Sequence, residues 1–259
     1  MSSSTLTTTQ PSSSSGAVRA IERTPEARVS GVQRMWNSSI GIKLIVAITG
    51  ALLLLFVVGH LVGNLQIFLG QDVFNNYAVK LRAFPAFLIV FRIGIGAVAL
   101  LHIVMTLRLA LLNRRARPVA YRAKEPVEAT FSSRTMVISG LLLLAFVTYH
   151  LAHFTWQVTN PHYQQLMDSQ GRHDVYTMVI LGFQNLLISG SYIVAMILLG
   201  FHLSHGIASV FQTLGWATPN NKHVIERAAR IVTVLLIAGY VSIPIMILLG
   251  VVKSPAGGM

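Results

Sequence analysis

Five long apolar runs, at about 43–64, 86–110, 135–157, 178–212 and 228–252, alternate with shorter polar stretches along the chain. Each is long enough to supply the ~20 helical residues that cross a hydrocarbon core about 30 Å thick. None shows the ten-residue alternation of a membrane strand, so all are read as helices. The expected fold class is an all-α membrane protein with five transmembrane helices, four of them forming a bundle and the fifth packed alongside. Residues 65–85 and 158–177 read as loops on one side of the membrane, the second with turn chemistry at Asn160, Pro161 and Gly171. The Ser/Thr-rich start has no apolar segment directly after a charged beginning. Residues 1–30 therefore read as a disordered cytoplasmic tail, not a cleaved signal, and 31–259 as the membrane domain.

Composition agrees with that pattern: of 259 residues, 53% are hydrophobic and 11% charged, with a mean hydropathy of +0.63. The formal charge of +12 raises the question of nucleic acid. The cations, however, flank the apolar runs and form no single stripe with interleaved aromatics, so no nucleic-acid partner is expected. They are Arg19, Arg23, Arg28, Arg34 and Lys43 in the head, Arg108, Arg114, Arg115, Arg117, Arg122, Lys124 and Arg134 between spans two and three, and Lys222, Arg227 and Arg230 before span five. By the positive-inside rule they place the N-terminus in the cytoplasm. The chain has no cysteine, which removes disulfides, thiolate zinc sites, iron–sulfur clusters and c-type haem attachment. Metal chemistry then rests mainly on its nine histidines.

Four of these, His60, His102, His150 and His202, fall near the ends of four successive apolar runs. Ionisable groups inside a bilayer are costly and point to function. At 1.5 Å per residue, His60 lies about 24 Å from an inner edge near Leu44, and His150 about 21 Å from one near Met136. Span two runs the other way, which puts His102 about 24 Å from an outer edge near Ala86. His202 is also late in an inward-running helix. The depths pair His60 with His150 towards the outside and His102 with His202 towards the cytoplasm, two levels about 15–20 Å apart. Each pair is suited to clamp one planar macrocycle from opposite sides. Gly59, Gly63, Gly94, Gly96, Gly140, Gly200 and Gly206 would give a flat ring room, and equally serve plain helix packing.

His153 and His205 each follow a candidate ligand by three residues and face nearly the same way. Either is placed to be the ligand instead, or to contact a haem propionate or quinone. Two His-x-x-His pairs also suit a transition-metal site, although a transporter of that kind would carry acids in its spans, and there are none. His162, His173 and His223 read as solvated loop residues. Arg82 and Arg92 at the outer start of span two, and Arg108 at its inner end, are placed to offset propionate charge or to snorkel to headgroups. Asp72 is nearly alone as an acid in the first outer loop, where a carboxylate suits proton exchange with a quinone.

The segments Gly59-His60-Leu61-Val62-Gly63-Asn64, Leu101-His102 ahead of Arg108-Leu109-Ala110, Phe146-Val147-Thr148-Tyr149-His150, and Phe201-His202-Leu203-Ser204-His205-Gly206 running on to Gly215-Trp216 cover all four ligand helices. In order and spacing they resemble the five-helix, di-haem cytochrome b membrane-anchor subunit of succinate dehydrogenase or fumarate reductase, the succinate:quinone oxidoreductases. The resemblance implies two haem b groups, with His60 and His150 on the distal iron and His102 and His202 on the proximal one. It also implies a bacterial inner membrane, a flavoprotein carrying FAD and an iron–sulfur subunit on the cytoplasmic face, and electron transfer to menaquinone or another quinone. FAD and the clusters belong to those partners. A quinone site near the outer haem would have Gln66, Asp72, His153 and Trp156 within reach, and the Glu that the family uses there has no counterpart near the first loop. Other di-haem b proteins, ascorbate-reducing or hydrogenase-linked, also use four histidines.

Overall fold

The computed structural model describes Trp36, residues 38–116 and residues 131–254. The tail at 1–30, Arg34, the loop cations Arg117, Arg122 and Lys124, and the side chain of Arg134 lie outside the described residues. The helices are α1 (Ser39–Leu65), α2 (Gln71–Arg82), α3 (Pro85–Arg115), α4 (Phe131–His150), α5 (Val175–Gln184), α6 (Leu186–Thr213) and α7 (Lys222–Leu248). Five of them, α1, α3, α4, α6 and α7, are long and apolar enough to span a bilayer. The protein is an all-α, multi-pass membrane protein.

Local chemistry sets the boundaries. The Ser38 hydroxyl accepts from the Gly41 N–H at 2.9 Å and caps α1. Pro85 opens α3, where its missing N–H costs nothing. At the far end of α6 the chain turns through Gly215 at φ 75°, a left-handed position that suits glycine, and the N–H groups of Gly215 and Trp216 return to the carbonyls of Gln212 and Phe211.

Two expectations are corrected. The stretch 65–85 is not an irregular loop, because α2 fills it. This helix has Asp72 in its first turn and Lys80 and Arg82 in its last, the charge order that complements a helix dipole. The apolar run at 178–212 is not one helix either. Asn185 leaves the helical region at φ −78° and ψ 119°, and its side chain accepts from the N–H groups of Leu187 and Ile188. That cap starts a new helix, and the buried Ser189 hydroxyl satisfies the Phe183 carbonyl left behind, at 2.5 Å.

α1 packs on α3 and α4 on α6, while α1 also contacts α6, and α7 lies against α6 and α1. α1, α3, α4 and α6 therefore make the bundle. Its two ends differ. At one, α2, α5 and the segment from Pro161 to Asp174 form a cap over a buried cluster that includes Ile67, Phe74, Tyr163, Ile180, Phe183 and Tyr192. The other end is basic, with Arg114, Arg115, Lys222, Arg227 and Arg230, and Glu226 is the only acid described there. Between the ends, apolar side chains such as Phe87, Val90, Ile93 and Leu100 of α3 point outward, as they must in acyl chain.

The cap is polar at its centre. Asn75 is fully buried, donates to Asp168 at 3.0 Å and Asp174 at 2.9 Å, and accepts from the Tyr176 N–H at 2.9 Å. Gln71 donates to Asp174 at 2.8 Å, and Arg172 bridges Asp168 at 2.7 Å and Asp72 at 2.9 Å. Burial pushes the Asp168 carboxyl up, but hydrogen bonds from the Arg172 N–H, Asn75, the Arg172 guanidinium and the Gln170 N–H outweigh it and hold it down at about 2. Asp174 is likewise depressed, by Thr177, Asn75 and Gln71 against its burial.

A carboxyl depressed in the fold stabilises it above the unfolded value near about 4 and loses that contribution as pH falls towards its folded value. Protection of the Tyr176 and Thr177 amides from hydrogen exchange, taken relative to the unfolded chain at the same pH, should thus hold at pH 5 and be lost only as pH falls through about 4 towards about 2. Asn75→Ala, which takes one bond from each of two carboxylates and leaves the Tyr176 N–H without its acceptor, should cost about 2 kcal/mol and expose 158–174 to protease at neutral pH.

Candidate metal centres among the intramembrane histidines

The imidazoles of His60 on α1 and His150 on α4 face each other near the capped end, their ring centres 5.9 Å apart and their planes at 84°. A metal–nitrogen bond of about 2 Å on each side, plus about 1 Å from nitrogen to ring centre, separates two axial imidazoles by about 6 Å. The spacing matches that of a bis-histidine metal. Phe56 stacks on His60 at 5.4 Å, Phe146 stacks on His150 at 6.1 Å, and the Tyr240 ring lies 6.3 Å from His60.

Towards the basic end, His202 on α6 has His102 of α3 and His205 as its titratable neighbours. Each member of this second pair is held at Nδ1 by a hydroxyl on another helix. Thr49 Oγ1 lies 3.0 Å from His102 Nδ1, and Ser139 Oγ lies 3.1 Å from His202 Nδ1. Both hydroxyls also donate to their own helix, Thr49 to the Ile45 carbonyl at 2.7 Å and Ser139 to that of Met136 at 3.1 Å. A hydroxyl has one proton. With it spent on the carbonyl, the oxygen accepts from Nδ1–H and leaves the lone pair of each imidazole on Nε2, as a metal ligand needs; beside His102 the Val46 carbonyl is a second acceptor. A Cβ at Gly50 would come 3.2 Å from His102 Cε1, and one at Gly140 3.5 Å from His202 Cε1, so each ring is seated on a glycine next to its hydroxyl.

Those seats were missed by reading the sequence, yet a signal for them exists. Ile48-Thr49-Gly50 with Phe56 and His60 recurs as Ile138-Ser139-Gly140 with Phe146 and His150, at identical spacings. The bundle is a two-fold repeat of one helix pair, α1 with α3 and α4 with α6. Eleven residues separate the hydroxyl from the imidazole on both α1 and α4, which sets the two levels about 16 Å apart.

His153 is separated from this geometry. Immediately after His150 the helix widens into a π turn, Leu151–Thr155, in which the Trp156 N–H reaches the Leu151 carbonyl at 2.7 Å. His153 is 0% exposed, with ring contacts to Phe154 at 4.0 Å and Tyr149 at 5.6 Å. Tyr192 Oη lies between the two imidazoles, 3.1 Å from His153 Nδ1 and 3.4 Å from His150 Nδ1. The Nε2 of His153 has no hydrogen-bond partner among the described residues. It is His150 that faces His60, and His153 sits behind it.

Of the remaining candidates, Gln66 and Asp72 share a cleft of about 190 Å³ at the capped end with Asn76, Tyr77 and Lys80, while Trp156 is exposed outside it. Asp72 is ion-paired to Arg172. Arg92 lies within electrostatic range of Arg82, and Arg108 is half-buried six residues beyond His102. His173 is not the solvated loop residue expected: it is half-buried, with Nδ1 3.2 Å from the Leu166 carbonyl. Burial, then the charge of Arg82, holds its imidazole below the usual value. His162 and His223 are exposed. Of the glycines, Gly63 lies against the Tyr77 hydroxyl and Gly200 against Ile237, whereas Gly59, Gly94, Gly96 and Gly206 border open space.

Among the described residues no three or more His, Asp or Glu side chains converge as a metal-binding group. The imidazoles of His60 and His150 meet as a pair. The residues suit haem b, whose porphyrin fills the equatorial positions and asks the protein for two opposed imidazoles. No family model, curated protein or solved structure matches the chain.

Tyr192→Phe removes the hydroxyl shared by His150 and His153, leaving a fully buried imidazole unpartnered. It should cost about 2 kcal/mol, read as a lower midpoint of thermal unfolding in detergent.

Proposed function

We propose that this chain is a di-haem cytochrome b, the membrane anchor of a succinate:quinone oxidoreductase in a bacterial cytoplasmic membrane. The observation that carries the reading is the His60–His150 pair at 5.9 Å, with a second pair about 16 Å of helix rise away. Each haem, when bound, supplies a reversible one-electron carrier. His60 and His150 hold one, and His102 and His202 the other. The remaining side chains exclude water, cover the rings and fix ligand orientation.

In this reading the basic end, with the N-terminus, faces the cytoplasm, in keeping with the positive-inside rule. It receives an iron–sulfur subunit and, through it, a flavoprotein whose FAD carries the dicarboxylate chemistry. With haem bound, the His102–His202 level would be the one nearer the iron–sulfur partner and the His60–His150 level the one nearer menaquinone or another quinone, for electron transfer in either direction. The steep charge asymmetry supports docking at the basic end, where acidic protein surface would be attracted. The cleft at the capped end holds two of the candidate quinone residues, Gln66 and Asp72. A metal transporter built on the two His-x-x-His pairs is disfavoured, since those imidazoles do not converge.

A redox-titrated optical spectrum of the purified protein, with haem quantitation, should show two low-spin b centres per chain. His60→Ala and His150→Ala should abolish the same centre, His102→Ala and His202→Ala the other, each leaving about half of the haem. Losses grouped across the pairs would overturn the ligand assignment. Co-purification of a flavoprotein and an iron–sulfur protein with succinate:quinone activity tests the assembly, and a lone active cytochrome would refute it.

A further inference from the structure

We propose that Thr49 and Ser139 are positioning residues for the basic-end haem: each takes the Nδ1–H of the opposing imidazole and turns its Nε2 to the iron. The inference rests on the di-haem reading above and adds residues that bind no metal themselves. Both contacts are cross-helix, Thr49 of α1 to His102 of α3 at 3.0 Å and Ser139 of α4 to His202 of α6 at 3.1 Å. Both side chains are buried, at 4% and 5% exposure, so water does not compete for the imidazole. In each case a glycine follows, and the ring lies over it. One such contact could arise from the common habit of Ser and Thr in membrane helices of bonding their own carbonyls. Its recurrence on the two repeats, with the same neighbours and the same imidazole nitrogen, marks it as part of the site.

The chemistry separates orientation from general packing. An Nδ1–H that donates to a fixed acceptor makes the other nitrogen a stronger donor to the metal. More electron density on the iron favours its ferric state, so removing the acceptor should raise the midpoint potential of that haem. The capped-end pair lacks this arrangement: His150 has only the shared Tyr192 hydroxyl at 3.4 Å, and no hydroxyl among the described residues bonds His60. The effect of losing Thr49 or Ser139 should therefore be confined to one of the two haems.

The test uses the full-length protein with its haems, purified with whatever subunits accompany it. Optical redox titration gives both midpoints, and low-temperature electron paramagnetic resonance gives the ferric low-spin signal of each haem. Thr49→Val and Ser139→Ala should each shift the midpoint of the His102–His202 haem upward and alter its low-spin signal, with the other haem unmoved. Thr49→Ser and Ser139→Thr should restore both. Loss of that haem alone, recovered in the conservative variant, supports the same role. Unaltered midpoints and signals, an equal shift of both haems, or loss of both that the conservative variants fail to correct would overturn the proposal. A wild-type protein without haem would instead remove the di-haem reading itself, so the two failures are told apart before any variant is made.

Discussion

An imidazole inside a bilayer has two nitrogens and no water to satisfy them, and this accounting orders the centre of the molecule. A buried polar atom without a partner costs a kilocalorie or more, and His102, His150, His153 and His202 are each given one by a neighbouring helix. For His102 and His202 those partners are hydroxyls whose protons are already committed to backbone carbonyls. For His150 and His153 it is one shared phenol. These requirements fix the rotation of α1 against α3 and of α4 against α6, because a hydroxyl one position along either helix would point elsewhere. The fold of the bundle and the orientation of its imidazoles are one solution.

The repeat within the bundle explains how a single chain sets imidazoles at two heights. Each of α1 and α4 carries a hydroxyl seat towards the basic end and an imidazole towards the capped end, so each helix serves both levels. Moving either helix along its axis would disturb both levels at once. The halves then diverge at the capped end. Where α1 has Gly63 packed against Tyr77, the matching place in α4 is His153, in a π turn, packed among aromatic rings. That divergence coincides with the cap, which is tied down by Asn75.

The spans and the four imidazoles were legible because the signals are strong and local: twenty apolar residues in a row, and lone titratable groups within them. The break at Asn185 was less so. Averaging over an apolar window hides one polar residue, although an Asn that can cap the following turn is a recognised helix start. α2 escaped notice because it is short and polar, held by Asn75 and Gln71 reaching residues about a hundred positions away. Nor did His173 betray its partial burial within the cap, where the chain folds back to pair Met167 with His173. The Thr49 and Ser139 seats lay in plain text, but hydroxyls are common in membrane helices and only the comparison of one half of the chain with the other sets these two apart.

α7 contributes no imidazole to either pair, yet it stands directly behind one. Its Tyr240 hydroxyl donates to the Val57 carbonyl of α1 at 2.6 Å, and its Gly239 leaves room for Leu61, the residue next to His60. A fifth span attached at this point acts as a buttress, resisting any outward lean of α1 at the level of His60. Sideways load on α1 then passes to a helix that belongs to neither imidazole pair.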